Sequence, residues 1–254
     1  MDLDLSLLSF ILLFFTGLLA GFVDSIAGGG GLISLPVLLS VGLSPQLALG
    51  TNKLQGSFGT LSATINFIKK GKVRLSDNTV GMGFTLMGAV IGAWSIQQIE
   101  AGFIQHIIPV MLLFVFFYTL FSRDLGSRPG TPKMGKHLFF MLFGLGLGFY
   151  DGFFGPGTGA FWTGGLLIFL GMDMTQATGT TRVMNFVSNI VALSVFIIGG
   201  NVLYSAGLTM AAGQIIGARV GSGLAIQRGV SFIRPIFLTM VFLTIVRLIY
   251  VNYA

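Results

Sequence analysis

The sequence predicts an all-α fold: a polytopic helical membrane protein built from two inverted repeats of about five hydrophobic segments each, with helices broken at glycine-rich stretches. Composition is the first observation behind this prediction, because 54% of the residues are hydrophobic and only 9% are charged. Soluble domains average about 25% charged residues, so this chain could not cover a water-exposed surface. The other two observations are a series of apolar segments and an internal duplication.

The apolar segments follow one another along the whole chain. Their predicted ranges are 5–27, 30–43, 46–68, 77–97 and 103–121, followed by 138–154, 158–171, 174–198, 205–225 and 232–251. The start of the chain lacks the basic region of a cleaved signal peptide, so the first range is expected to be a retained helix. The ranges 30–43 and 158–171 are shorter than the about 20 residues of a full span, which predicts tilted segments or half-helices.

The two sets of segments are copies, which divides the chain into a first repeat (1–121), a basic loop (122–137) and a second repeat (138–254). Asp24 and Asp151 stand 127 positions apart in matching stretches, and after a two-residue insertion Lys53 and Arg182 match at an offset of 129. Glycines match at the same offsets: Gly21, Gly28, Gly30, Gly88 and Gly92 correspond to Gly148, Gly155, Gly157, Gly217 and Gly221. The conserved order of these matches makes chance identity a poor explanation.

Loop charge orients the two repeats in the membrane. The loop 69–74 carries four cations, whereas its copy in the second repeat carries none. Cytoplasmic loops are enriched in Lys and Arg, so 69–74, 122–137 and Arg228 are predicted to be cytoplasmic. Both chain termini, Glu100 and the loop 199–203 then lie outside. Each repeat crosses the membrane an odd number of times in this arrangement, which inverts one copy relative to the other.

Both repeats break a helix beside an acid. The stretches are GFVDSIAGGGG, which contains Asp24, and GFYDGFFGPGTG, which contains Asp151. A broken helix leaves unpaired N–H groups and a positive dipole end inside the membrane, and that end can hold an anion. The binding residues predicted at the two breaks are Gly29, Gly30, Gly157 and Thr158. The two acids are expected to carry coupling protons, to bind a cation, or to cap the following N–H groups; close helix packing is the alternative for the glycines.

A second polar cluster lies in the third segment of each repeat. Lys53 and Arg182 hold matched places there, and cations within a membrane segment favour an anionic substrate. The predicted substrate-binding residues of these segments are Thr51, Asn52, Lys53 and Gln55, together with Thr180, Thr181, Arg182 and Asn185. Interhelical hydrogen bonding is the alternative for the uncharged residues. Arg219 is a candidate ion-pair partner for either acid.

The architecture favours a secondary transporter, because inverted repeats with interrupted helices are typical of that class. Enzyme motifs such as HExxH and GxSxG are absent and the chain has no cysteine, so no catalytic site, metal site or cofactor is predicted. The net charge of +6 is assigned to basic loops and not to nucleic-acid binding. The expected partners are a small anion, the lipid bilayer and a coupling proton or sodium ion. A second copy of the chain, in a homodimer, is a further candidate partner.

The paired motifs of the two halves resemble those of the sulfite exporter TauE/SafE family, also called the toluene sulfonate uptake permease family. They read GFVDSIAGGGGLISLP and ALGTNKLQGSFGTLSA in the first half, and GFYDGFFGPGTGAFW and ATGTTRVMNFVSNIVAL in the second. The resemblance covers essentially the full length. It implies a multi-pass transporter of the bacterial inner membrane, with sulfite and organosulfonates as associated substrates and the TNK and TTR positions as the anion site. An anion channel of the same architecture and a non-transporting scaffold or enzyme subunit are the alternatives.

Overall fold

A computed structural model describes residues 5–104, 106–108, 110, 111, 114 and 130–228. The described chain is helical and contains no strand, which confirms the all-α prediction. The helices are α1 (Leu7–Ala27), α2 (Gly30–Ser40), α3 (Pro45–Lys69), α4 (Thr79–Gln97), α5 (Lys136–Phe153), α6 (Thr158–Leu170), α7 (Met174–Ile198) and α8 (Tyr204–Arg228). The predicted segment 232–251, most of 103–121 and the first half of the basic loop 122–137 lie outside the described residues.

Helix length separates membrane-spanning helices from half-helices. In the described part, Leu7–Ala27, Ser76–Gln97 and Met174–Ile198 are long and apolar enough to span a bilayer. By contrast, α2 has 11 residues and α6 has 13. At 1.5 Å per residue these helices are about 16 and 20 Å long, against a hydrocarbon core of about 30 Å. Neither can cross the membrane, so the half-helix alternative is correct for both.

Glycines end the helix before each half-helix. Gly28 adopts a φ of 82° at the end of α1 and donates its N–H to the carbonyl of Asp24 at 2.9 Å. In the second break, Gly155 and Gly157 have φ values of 101° and 82°. Side chains with a Cβ are strained in this left-handed region, so glycine is the residue that allows the chain to turn there. The chain folds back at the first break, and Gly30 lies beside Asp24.

Two closely packed helix pairs each combine one helix from each repeat: α1 packs along α8, and α4 packs along α5. Glycines allow the close approach, because a Cβ at Gly21 would overlap the backbone of Gln214 and a Cβ at Gly148 would overlap that of Thr85. Gly21 matches Gly148 in the duplication, and Thr85 matches Gln214. Exchanging the copies therefore turns one helix pair into the other. The inverted orientation of the copies in the membrane stays a prediction.

Gly148→Leu should destabilise the folded protein strongly. The added side chain would meet the α4 backbone at Thr85, which cannot move aside without separating the two helices. Overpacking typically costs about 1–3 kcal/mol, and we expect the upper end or more because the obstacle is backbone. Thermal unfolding of the purified variant measures the effect. Gly146→Leu is the matched control on the same helix, since a Cβ there meets no atom within 4 Å. Equal stability of the two variants would contradict this account of the packing.

The long helices α3 and α7 pack against each other and contact both of these pairs. Most of their polar residues are buried, and the exposed positions in the middle of α3 are apolar: Phe58, Leu61 and Ile65. This pattern is the reverse of a soluble amphipathic helix and suits a polar interior surrounded by lipid. The two helices that carry the predicted cations therefore lie at the centre of the protein.

Candidate functional site

The two glycine-rich breaks meet at the centre of the protein. The Cα of Gly28 lies so close to the backbone of Gly159 that a Cβ at either position would overlap the other residue. Gly31, in the first turn of α2, faces Pro156 of the second break. Because glycine has no side chain, the N-terminal ends of both half-helices can share this space. The breaks that lie 127 positions apart in the sequence thus form a single site.

A buried ion pair joins α3 to α5 beside the breaks. Lys53 Nζ lies 2.7 Å from Asp151 Oδ1, and the two side chains are only 1% and 4% exposed. Ser188 of α7 donates its hydroxyl to the other carboxylate oxygen, Oδ2. Gly155 is required next to this pair, since a Cβ there would stand 2.6 Å from Lys53 Nζ.

A second ion pair joins α7 to α1. Arg182 Nη1 lies 3.1 Å from Asp24 Oδ2 and also donates to the backbone carbonyl of Asp24. The other carboxylate oxygen, Oδ1, accepts the N–H of Gly30 at 3.1 Å. Asp24 therefore makes the contact that the capping alternative expects, at the first turn of α2, and it also neutralises a fully buried guanidinium.

The two ion pairs cross between the repeats. The cation of the first repeat binds the acid of the second, and the cation of the second repeat binds the acid of the first. Removing charges from water is expensive, so three buried ionic groups and the partly exposed Asp24 are tolerated at one place only because each has a partner. The expectation that Arg219 pairs with one of the acids is wrong, because Arg219 lies exposed on α8.

A small polar cavity opens between the breaks and the ion pairs, with an empty volume of about 370 Å³ including its mouth. Its lining consists of three kinds of residue. The charged residues are Asp24, Lys53 and Asp151, the amides are Asn52, Gln55, Asn185, Asn189 and Gln214, and the glycines are Gly28, Gly31, Gly56, Gly155, Gly157 and Gly159. No cluster of three or more His, Cys, Asp or Glu side chains occurs among the described residues.

Hydrogen-bond donors without acceptors surround this cavity. Within the described chain, the N–H groups of Gly31 and Gly159 have no acceptor. Nε and Nη2 of Arg182 also lack one among the described residues, although this side chain is fully buried. Nη2 lies beside Gly159, where a Cβ would stand 2.9 Å away. Buried donors are nearly always paired in proteins, so this set of donors is available to a hydrogen-bond acceptor.

The predicted site residues divide into two groups. Asn52, Lys53, Gln55, Asn185 and Gly157 line the cavity together with both acids, and Arg182 lies directly behind Gly159. The remaining candidates, which do not line it, are Thr51, Thr180, Thr181, Gly29, Gly30 and Thr158.

Several residues outside the lining make structural contacts instead. Thr51 Oγ1 accepts the N–H of Leu203 at 2.9 Å, and Thr181 Oγ1 lies 3.0 Å from Thr163 Oγ1. The Thr158 hydroxyl donates to the carbonyl of Gly155 at 2.6 Å, within the break itself. These contacts tie loops and half-helices to the long helices, so they position the site without facing its interior.

The interpretation of the sequence missed two polar contributors, Gln214 and Ser34. Gln214 comes from α8, where it is a buried amide in an otherwise apolar stretch, and that isolation was the available signal. Ser34 is a single hydroxyl in α2, 2.5 Å from Asn52 Oδ1. Ser188 belongs to the polar face of α7 that the sequence shows, but its contact with Asp151 depends on how α7 crosses α5, which no local pattern encodes.

A family model described as sulfite exporter TauE/SafE matches residues 13–248 of the chain. A protein of Haemophilus influenzae named "Probable membrane transporter protein" is 38% identical over 250 residues, covering 98% of this chain and 97% of that protein. The "Probable membrane transporter protein YfcA" of Escherichia coli is 40% identical over 238 residues, covering 94% and 88%. The "Probable membrane transporter protein ORF9" of a Sinorhizobium species is 38% identical over 248 residues, covering 98% and 94%. No solved structure matches the chain.

Proposed function

Since the chain belongs to the sulfite exporter TauE/SafE family, we propose that it is a secondary transporter which moves a small anion across the bacterial inner membrane. Sulfite is the substrate that the family description names, and organosulfonates are added as candidates by the resemblance of the sequence motifs. The family and its relatives are membrane transporters, so the chain is a multi-pass membrane protein and not an enzyme. The observation that carries the proposal is the pair of crossed, buried ion pairs beside a polar cavity.

Charge balance links the anion to a proton. The two cations and the two acids of the ion pairs sum to zero. An anion that enters this buried space adds one negative charge, which is costly where the effective dielectric constant is low. Protonation of one acid restores neutrality and frees its cation to bind the anion. The proposed cycle therefore carries one proton with each univalent anion.

Asp151 is the better candidate for the proton. A protonated carboxyl must donate a hydrogen bond, and the Ser188 hydroxyl beside Asp151 can turn to accept it. The partners of Asp24 are the Gly30 N–H and the Arg182 guanidinium, which only donate. We assign the proton to Asp151 and a structural role to Asp24, whose carboxylate holds the first turn of α2.

The anion is proposed to bind between the freed Lys53 ammonium and the unpaired donors at the breaks. Arg182 offers two N–H groups without acceptors in the described chain, and Gly31 and Gly159 offer one each. Charge-assisted hydrogen bonds of this kind are about twice as strong as neutral ones. The inverted repeats would then expose the same site to either side of the membrane by exchanging their conformations.

Purified protein in proteoliposomes should take up radiolabelled sulfite or methanesulfonate in a saturable manner. An inside-alkaline pH gradient should accelerate the uptake, because the anion enters with a proton. Protein-free liposomes are the control. If a sodium gradient accelerates uptake and a pH gradient does not, sodium is the coupling ion. A flux that does not saturate and that neither gradient changes would indicate an anion channel.

A non-transporting scaffold or enzyme subunit is the alternative from another class. It predicts that no anion raises the thermal stability of the purified protein, since only a ligand bound to the native state does so. Screening sulfite, sulfate, thiosulfate, sulfonates and carboxylates in thermal unfolding tests this alternative. A complete absence of stabilisation, together with no uptake, would overturn the proposed transport function.

A further inference from the structure

The charged groups of the cavity occur in both repeats, but its amides do not. Asp24 matches Asp151, and Lys53 matches Arg182. At the same offset of 129, the five lining amides Asn52, Gln55, Asn185, Asn189 and Gln214 correspond to Thr181, Met184, Gly56, Thr60 and Thr85. Each amide is thus present in one copy and replaced in the other. The charged residues, which both repeats share, suit a step that each repeat performs in turn. The amides, which only one repeat supplies at each position, suit the recognition of one particular ligand.

Three of these amides keep a buried oxygen without a donor. Within the described residues, Gln55 Oε1, Asn185 Oδ1 and Gln214 Oε1 have no hydrogen-bond partner. The three side chains are 1%, 4% and 2% exposed, so bulk water does not satisfy these oxygens. A buried acceptor left unpaired is destabilising, and such groups are rare unless ordered water or a ligand pairs with them.

Neighbouring hydrogen bonds decide which end of the Gln55 amide is free. Gln55 Nε2 donates to Asn52 Oδ1 at 2.7 Å and to Ser34 Oγ at 3.1 Å. Ser34 Oγ also lies 2.5 Å from the same Asn52 oxygen. With the Asn52 oxygen facing Ser34 and Gln55, turning the Gln55 amide round would bring two oxygens together, so in this arrangement its nitrogen is held in the network and its oxygen is left for a ligand.

On the basis of the proposed function, we infer that these amides select the substrate, and that the substrate carries a hydrogen-bond donor such as a hydroxyl or N–H in addition to its anionic group. The ion-pair residues and the unpaired N–H groups bind the negative end. The amide oxygens of Gln55, Asn185 and Gln214 accept from the donor. Sites built to bond a substrate hydroxyl reject the analogue that lacks it, because the buried protein groups are then left unpaired.

Matched pairs of anions test this inference on the full-length protein in lipid nanodiscs. Calorimetry would compare 2-hydroxyethanesulfonate with ethanesulfonate, and glycolate with acetate. Each pair differs by one hydroxyl at constant charge. We expect the wild-type protein to bind the hydroxylated member at least about ten-fold more tightly, as one hydrogen bond in a buried site predicts.

Gln55→Met and Gln214→Met should bring that ratio close to one while binding of the non-hydroxylated anions persists. Methionine is similar in size to glutamine, and Met184 already fills the position that matches Gln55. Gln55 and Gln214 lie on different helices, so if one methionine variant fails to fold, the binding ratio of the other still tests the inference. Asn66→Thr is the control: Asn66 is a buried amide that donates to Ser222 Oγ at 2.8 Å outside the cavity, and its loss should keep the ratio.

The possible outcomes separate this inference from the function on which it rests. A wild-type protein that binds both members of each pair equally would overturn the donor requirement and leave anion transport intact. Unchanged ratios in both methionine variants would overturn the role of the amides. A wild-type protein that binds none of the four anions and transports no other would contradict the proposed function, and the inference would fall with it.

Discussion

Lys53→Met should abolish anion binding and lower the free energy of unfolding by about 3–5 kcal/mol. The change removes the partner of Asp151, whose side chain is 4% exposed, and leaves an uncompensated carboxylate in the interior. It also removes the cation that is proposed to take the anion once Asp151 is protonated. Thermal unfolding and calorimetric titration with methanesulfonate measure the two effects on the same purified protein.

The double variant Lys53→Met/Asp151→Asn separates stability from function. Removing both charges of a buried pair is often neutral or stabilising, so the folded protein should recover most of the lost stability. Anion binding should remain absent, because no cation returns to the site. Lys72→Met, at an exposed position of the loop 69–74, should change neither property. If Lys53→Met alone is as stable as the wild-type protein, the Lys53–Asp151 ion pair is absent in the membrane.

Asp151→Asn should eliminate accumulation driven by a pH gradient while exchange of external for internal substrate continues within a few-fold of the wild-type rate. Asparagine resembles the protonated acid in shape and charge, and it can still bond Ser188. Lys53 is then free for the anion at every pH. Uptake and counterflow in proteoliposomes measure the two activities.

The same variant should be stabilised by anions more than the wild-type protein, since its buried Lys53 lacks a counterion until a ligand binds. Asp77→Asn, an exposed acid at the start of the turn before α4, is the matched control and should transport normally. Retained proton-driven accumulation in Asp151→Asn would remove this residue from the coupling step. Loss of exchange as well as accumulation would indicate a purely structural role.

The breaks before the two short helices were predictable because their cause is local. Four consecutive glycines before Leu32, and the stretch GPGTG before Ala160, interrupt apolar runs that are too short to span a bilayer. The structure begins α2 at Gly30 and α6 at Thr158, within two residues of those positions. The elements of the site were predictable for a similar reason, since a buried cation or acid stands out against apolar neighbours.

The partners of these elements were not predictable in the same way. For Asp24 the sequence left several alternatives: capping of α2, a coupling proton, a bound cation and an ion pair with Arg219. Its actual partner, Arg182, is 158 residues away, and Lys53 and Asp151 are 98 residues apart. The residues that meet depend on the crossing of α1, α3, α5 and α7, because ion pairing acts over a few ångströms in space and leaves no periodic trace along the chain.

The sequence by itself determined the helices, their breaks, the duplication and the presence of two acids and two cations inside the membrane. Those features follow from hydrophobic length, glycine chemistry and residue identity, all of which act within a few turns of one helix. Only the tertiary structure decided that the breaks face each other, that the ion pairs cross between the repeats and that Gln214 joins the site. Gly28 and Gly159 belong to different repeats, and the backbones of both breaks meet there only because neither residue has a side chain to hold them apart.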